Sequence, residues 1–183
     1  WRWFEIMPVK NPANVVTLGE GYTPLLPALR LGKRFGSSRL FIKEEGLNPT
    51  GSFKARGMSA AVSKAKELGV TAIGAPSAGN AASALSAYGA RAGMKIAVFM
   101  PTDAPEMMKR EGHMYGADVY LVKGLINDAG AIVRAASPGA STVASMRRWR
   151  TSSTGVAGAV SAIAATTLQV GSAVQDPVRN QID

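Results

Sequence analysis

Two hydrophobic rhythms alternate from residue 53 to residue 136. Phe53, Met58, Ala61, Val62, Ala65 and Leu68 recur at three- and four-residue spacing, with Lys64, Lys66 and Glu67 mostly on the other side. That spacing predicts an amphipathic helix with one apolar face. Gly69 stands where such a helix should stop, because the residue after the last turn favours left-handed backbone. The apolar run Val70–Ala75 then reads as a short buried strand, and Ser77-Ala78-Gly79-Asn80 as a turn into a helix of small residues, Ala81–Ala92. The rhythm repeats with a strand over Ile96–Met100, a helix starting near Pro105, a strand over Asp118–Val122 and a helix near Asn127–Ala135. Pro105 suits the first helical position, where a missing N–H costs nothing. Strands and helices alternating at these lengths predict an α/β fold: a three-layer parallel sheet with helices on both faces. In such a sheet ligands sit at the carboxyl ends of the strands, where Ser77 to Asn80 falls. Ahead of this region, a strand is expected around Leu40 to Lys43, and the pattern loses its order after about Ala136.

Chemistry concentrates in Asn48-Pro49-Thr50-Gly51-Ser52-Phe53-Lys54-Ala55-Arg56-Gly57. Lys54 follows a Gly-Ser turn and opens the first helix of the alternating region. Gly51 permits a tight turn, and Ser52 or Thr50 can cap the helix. A lysine amine attacks only when unprotonated, and its ordinary pKa of about 10.4 forbids that at neutral pH. Burial or the positive end of a helix dipole disfavours the ammonium and makes a Schiff base with an aldehyde accessible. The turn at Ser77–Asn80 supplies a second helix start, whose free N–H groups suit carboxylate or phosphate oxygens. Asn80 adds a side-chain amide able to donate to a phenolate-type oxygen. Each motif alone reads most simply as a solvated charge or a capped turn; both together describe a site for an anionic, carbonyl-bearing ligand.

With these motifs the chain resembles the fold-type II pyridoxal phosphate enzymes, built like the tryptophan synthase β-subunit, and among them the threonine synthases. The resemblance is carried by Leu18-Gly19-Glu20-Gly21-Tyr22-Thr23-Pro24-Leu25, by Leu40 to Leu47, by Asn48 to Gly57, and by Ser77 to Asn80 with its Ala-rich helix. Val98 to Pro101 and Tyr115 to Val122 with Gly124 extend it, so that it runs from about Trp1 to about Val133. It implies pyridoxal 5'-phosphate as cofactor, held through Lys54, which also shuttles substrate protons. It implies that Asn80 meets the cofactor's ring hydroxyl oxygen and that Ser77, Ala78 and Ala81 hold the substrate carboxylate. The implied reaction converts O-phosphohomoserine and water to threonine and phosphate, with a serine/threonine dehydratase or ammonia-lyase as the alternative. A third reading is a non-catalytic small-molecule-binding fragment. Ala81 departs from relatives that carry His or Thr after the loop Asn. The implied organisation is residues 1–58 as part of a large cofactor domain, 59–136 as a small substrate-binding domain, and 137–183 as an unassigned tail. The expected cofactor-phosphate loop has only a poor imitation in Gly155-Val156-Ala157-Gly158, so the fold is expected to be incomplete and the chain weakly active alone.

Composition narrows the remaining classes. With 183 residues, 46% hydrophobic and 18% charged, the chain has the makeup of a globular protein. Zero cysteines excludes disulfides and thiolate chemistry, and a lone histidine, His113, excludes a His-built metal site. The net charge of +9 is dispersed as Lys33/Arg34, Lys64/Lys66, Lys109/Arg110 and Arg147/Arg148/Arg150, without the clustered basic face of a nucleic-acid binder. The uncharged run Gly155–Val174 is too rich in Ala, Gly, Ser and Thr to read as a membrane span. A cytoplasmic enzyme of small amino-acid substrates is expected, with no nucleic-acid or membrane partner and a homodimer in the full-length protein. The absent initiator Met fits a piece of a longer chain.

Overall fold

In the computed structural model, which describes residues 1–135, two small sheets and five α-helices are found among the described residues. Strands β1 (Leu25–Pro27) and β2 (Phe41–Lys43) pair antiparallel, Leu25 opposite Lys43, and the short helix α1 (Leu29–Arg34) lies between them in sequence. After two 3-10 turns at Glu45–Leu47 and Pro49–Gly51 comes α2 (Lys54–Glu67). The alternating region follows as β3 (Ala72–Pro76), α3 (Asn80–Ala92), β4 (Lys95–Pro101), α4 (Glu106–Met114), β5 (Asp118–Val122) and α5 (Ile126–Ala135). Strands β3, β4 and β5 form a parallel sheet in that order, with Ile73 beside Ile96 and Val98 beside Val119.

The period of two along these strands divides the core. Ile73, Ala75, Ile96, Val98, Met100 and Val119 face one side and pack with α2 and α3 through Met58, Val62, Leu85 and Tyr88. Ala97 and Phe99 face the other side, where Ala129 and Val133 of α5 cover them and Phe99 stacks on Tyr120 at 4.9 Å. Helices therefore lie on both faces, as the alternation predicts, and β4, flanked on both edges and faces, is buried from Ile96 to Pro101. Each fully buried Val, Leu or Ile in this core contributes about 1.5–3 kcal/mol of transfer free energy.

Small residues set the distance between α3 and the sheet. A methyl group at Gly89 would lie 2.2 Å from Ile96 Cγ1, so only glycine permits this approach. Helix α2 ends as expected: Gly69 adopts φ +74°, and the Val70 amide returns to the Ala65 carbonyl. The segment before the lysine turn is strapped to α2 by serines. The Val16 amide donates to Ser63 Oγ at 2.7 Å, and Ser59 Oγ donates to the Val16 carbonyl at 2.7 Å.

Several boundaries differ from the sequence reading. The strand expected from Val70 begins at Ala72, because Val70 is spent on closing α2. Pro105 caps α4 from outside, with ψ 134°, instead of occupying its first helical position. Phe53 and Leu68, assigned to the apolar face of α2, are 57% and 46% exposed, since that face packs only along its middle turns. Strand β1 and helix α1 have no counterpart in the sequence reading. Met58, where the expected domain division falls, lies within α2. Residues 137–183, with the Gly155–Gly158 stretch and the run Gly155–Val174, lie outside the described residues. Among the described residues no helix is long and apolar enough to cross a membrane, and no group of three His, Asp or Glu side chains converges as a metal site.

Candidate active site

Lys54 is the first residue of α2, and its position is built by a strained turn. Thr50 adopts φ +61° and Gly51 φ +66°, two successive left-handed residues that reverse the chain. The second is a glycine and the first is not, which costs a Thr about 1–2 kcal/mol. Ser52 then accepts the Lys54 backbone N–H at 3.3 Å, so the capping role expected of Ser52 or Thr50 falls to Ser52. The Thr50 hydroxyl is buried without a hydrogen-bond partner among the described residues. The same turn packs against α3, which also runs along α2.

A cavity of about 1230 Å³ opens beside this turn, bounded by Lys54, Phe53, Gly57, Met58, Ala81 and Glu20, among others. Two lysines line it, and they differ. Lys43 donates its amine to the Thr23 carbonyl, whereas the Lys54 amine has no hydrogen-bond acceptor among the described residues and rests 4.6 Å from the Phe53 ring centroid. An ammonium over a ring face gains only a modest cation–π attraction. Lys54 is therefore the amine left available for chemistry.

Helix α3 brings its first turn to the same place. It starts at Asn80 with no side chain capping it, and Ala81 forms part of the cavity wall. Uncapped N–H groups at a helix start are a preformed anion site. The other expected residues are placed less directly. Asn80 is exposed, Ser77 donates its amide to the Phe99 carbonyl at 3.1 Å, and Ala78 packs toward the main core. Lys54 and Ala81 thus share the cavity, while Ser77, Ala78 and Asn80 adjoin it without lining it. An uncommitted amine beside an uncapped helix start fits a ligand with an aldehyde and an anionic group, which pyridoxal phosphate is.

Two carboxylates that the sequence reading did not single out organise the surroundings. Glu45 takes a two-pronged contact from Arg56, Nε to Oε2 at 2.6 Å and Nη2 to Oε1 at 2.8 Å. The Thr23 hydroxyl and the Asn48 amide also donate to it, at 2.6 and 3.0 Å. The Arg56 guanidinium and the Thr23 hydroxyl hold the Glu45 carboxyl down at about 2. Glu20 accepts from the Tyr88 hydroxyl at 2.5 Å, from Thr17 Oγ1 at 3.0 Å and from the Leu18 amide at 3.1 Å. Burial pushes Glu20 up, but the neighbouring Ser59 and Tyr88 hydroxyls and backbone amides outweigh it, leaving the carboxyl below its ordinary value. The Tyr88 phenol is pushed well above its ordinary value by burial and by this carboxylate. The signal available in the sequence was charge within the motifs themselves, Glu20 in Gly-Glu-Gly and Glu45 three residues before Asn48.

Comparison with known proteins agrees with this geometry. Residues 16–177 match the family model described as "Pyridoxal-phosphate dependent enzyme", a span that continues past residue 133, where the resemblance was expected to end. The chain is 45% identical over 130 residues to a threonine synthase of Methanocaldococcus jannaschii, covering 70% of this chain and 32% of that one. It is 46% identical over 130 residues to a threonine synthase of Synechocystis, covering 70% and 34%. It thus spans about a third of the length of the curated relatives it matches. Among solved structures, the processed form of threonine deaminase isoform 2 from Solanum lycopersicum superposes with a TM-score of 0.54 at 29% identity, over 58% of this chain and 31% of that one. On the family match, the chain belongs to the pyridoxal-phosphate dependent enzymes.

Proposed function

We propose that this chain is the lysine-bearing part of a threonine synthase, which converts O-phosphohomoserine and water to threonine and phosphate. The observation that carries the reading is the uncommitted Lys54 amine on a cavity wall shared with the first turn of α3. The threonine synthases at 45–46% identity support the choice of reaction. When bound, pyridoxal phosphate supplies an aldehyde for the lysine and a ring that draws electrons from the substrate's Cα. Lys54 Nζ holds the cofactor and then takes and returns protons on the substrate. The free N–H groups that open α3, with the backbone around Ser77, Ala78 and Ala81, orient the substrate carboxylate, and Asn80 donates to the ring hydroxyl oxygen. Phe53 and Met58 line the cavity on the side of the amine.

The division into residues 1–58 of a larger cofactor domain and 59–136 of a small substrate domain belongs to this proposal. So do a homodimer of the full-length protein and a cytoplasmic location. The expected cofactor-phosphate loop has no convincing match in the sequence, so this 183-residue chain alone is proposed to have weak or no activity.

The test is a chimera in which residues 1–135 replace the matching segment of the M. jannaschii relative. Phosphate release from O-phosphohomoserine, lost in Lys54→Ala, is the expected result. A keto acid formed from threonine without phosphate release would favour the dehydratase reading instead. A folded chimera with neither activity, and no borohydride-trapped pyridoxyl group at Lys54, would overturn the enzymatic reading.

A further inference from the structure

Helix α2 is gripped at each end by a glutamate, and the two grips differ in what they hold. At its C-terminal end Glu67 accepts the Lys10 and Asn11 amides at 2.8 and 2.9 Å and pairs with Lys64. That grip ties the helix to Lys10 and Asn11, neither of which lines the cavity. At the other end Glu45 gathers three segments that all border Lys54. Arg56 comes from the first turn of α2, Thr23 from the loop after Gly-Glu-Gly, and Asn48 from the start of the lysine turn. Asn48 extends the set by accepting the Gly21 amide at 3.0 Å, and Arg56 Nη2 also donates to Thr23 Oγ1 at 3.2 Å. Thr23 and Asn48 are 6% and 4% exposed, so these contacts are made where water does not compete for the hydroxyl and the amide.

We infer that Glu45 is a positioning residue for Lys54, acting through Arg56, Thr23 and Asn48 to fix the strained turn and the first turn of α2 against the cavity. This rests on the reading of Lys54 as the cofactor lysine. The physical argument is one of rigidity. Arg56 lies two residues after Lys54, and a two-pronged guanidinium–carboxylate contact fixes direction as well as distance. The turn it braces contains a threonine in left-handed backbone, a conformation that persists only where its surroundings over-determine it. Without the carboxylate, Arg56, Thr23 and Asn48 each lose an acceptor, and the turn loses the brace that opposes its relaxation. A displacement of about 1 Å is enough to cost about a hundredfold in a reaction that depends on position.

The test compares Glu45→Ala with Glu67→Ala in the full chain, using pyridoxal 5'-phosphate as probe and borohydride to trap it. Peptide mass spectrometry then gives the share of pyridoxyl groups on Lys54 relative to the exposed Lys33 and Lys95, and thermal melts give the stability of each variant. The expected result is a fall of at least about tenfold in the Lys54 share for Glu45→Ala. Glu67→Ala keeps the wild-type share although it too lowers the melting temperature, which separates positioning from general stability. Glu45→Gln, which keeps one oxygen for Thr23 and Arg56 Nη2 but loses the charge and the acceptor for Arg56 Nε and Asn48, should recover part of the share. Equal shares in Glu45→Ala and wild type, or equal losses in the Glu45 and Glu67 variants, would overturn the proposal while leaving the cofactor reading intact. Absence of Lys54 labelling in the wild type itself would instead strike that reading, and this proposal with it.

Discussion

Replacing Tyr88 by Phe removes one hydroxyl from a fully buried ring and keeps the rest of its volume. That hydroxyl donates to Glu20 Oε2 at 2.5 Å, while Glu20 Oε1 is buried with no partner among the described residues. A hydrogen bond to a charged group contributes about 1.5–3 kcal/mol, so Tyr88→Phe should cost about 2 kcal/mol at neutral pH. With a urea slope of about 2 kcal/mol per molar, the midpoint falls by about 1 M. The pH dependence follows from the lowered carboxyl of Glu20. A carboxylate whose folded pKa lies below its unfolded value stabilises fully above the unfolded value and loses that contribution as pH falls through the folded one. The gap between wild type and variant is therefore widest near neutrality and narrows below the ordinary value of 4.5. Urea unfolding followed by tryptophan fluorescence at several pH values reads both quantities. A gap under about 0.5 kcal/mol at neutral pH, or one that stays constant through the acid range, would refute the assignment of the phenol as a support of the carboxylate.

Three further outcomes are expected. Gly89→Ala should destabilise by about 1–3 kcal/mol despite its better helix propensity, and pairing it with Ile96→Ala should be clearly less than additive in denaturant melts. Because Glu45 is held at about 2 in the fold, its contribution is complete above about pH 4.5 and is lost as pH falls through 2. With Arg56's side chain 43% exposed, screening reduces that contribution to about 0.5–1 kcal/mol, measurable as the difference between wild type and Glu45→Gln along an acid titration. Thr50→Gly should stabilise by about 1 kcal/mol, because relief of left-handed strain and loss of a buried unpartnered hydroxyl exceed the entropy glycine adds to the unfolded chain; a lower melting temperature would contradict this.

The parallel sheet was legible because its signals are local and repeated. Apolar runs such as Ile96–Met100, turns at Gly69 and Ser77–Asn80, and the amphipathic spacing of α2 each announce an element without reference to the rest. Strand β1 escaped notice because Leu25-Leu26-Pro27 is three residues long and exposed, with a proline that argues against a strand interior. The lysine was identifiable from its turn, since Gly-Ser before a helix start is local chemistry. Its supports were not, because Glu45 meets Thr23 across 22 positions and Glu20 meets Tyr88 across 68. Hydrogen bonds of that span depend on how finished elements dock, and periodicity carries no information about them.

The β1–β2 ribbon has a practical consequence. Leu25, Leu26, Phe41 and Ile42 are 61%, 46%, 51% and 46% exposed, and each strand has an outer edge with no partner strand among the described residues. A bare two-stranded ribbon is marginal in water, and unpaired apolar edges recruit other chains. Samples of this polypeptide should therefore cloud or oligomerise as concentration rises, and a lysine substituted at Ile42 should widen the range over which it can be handled.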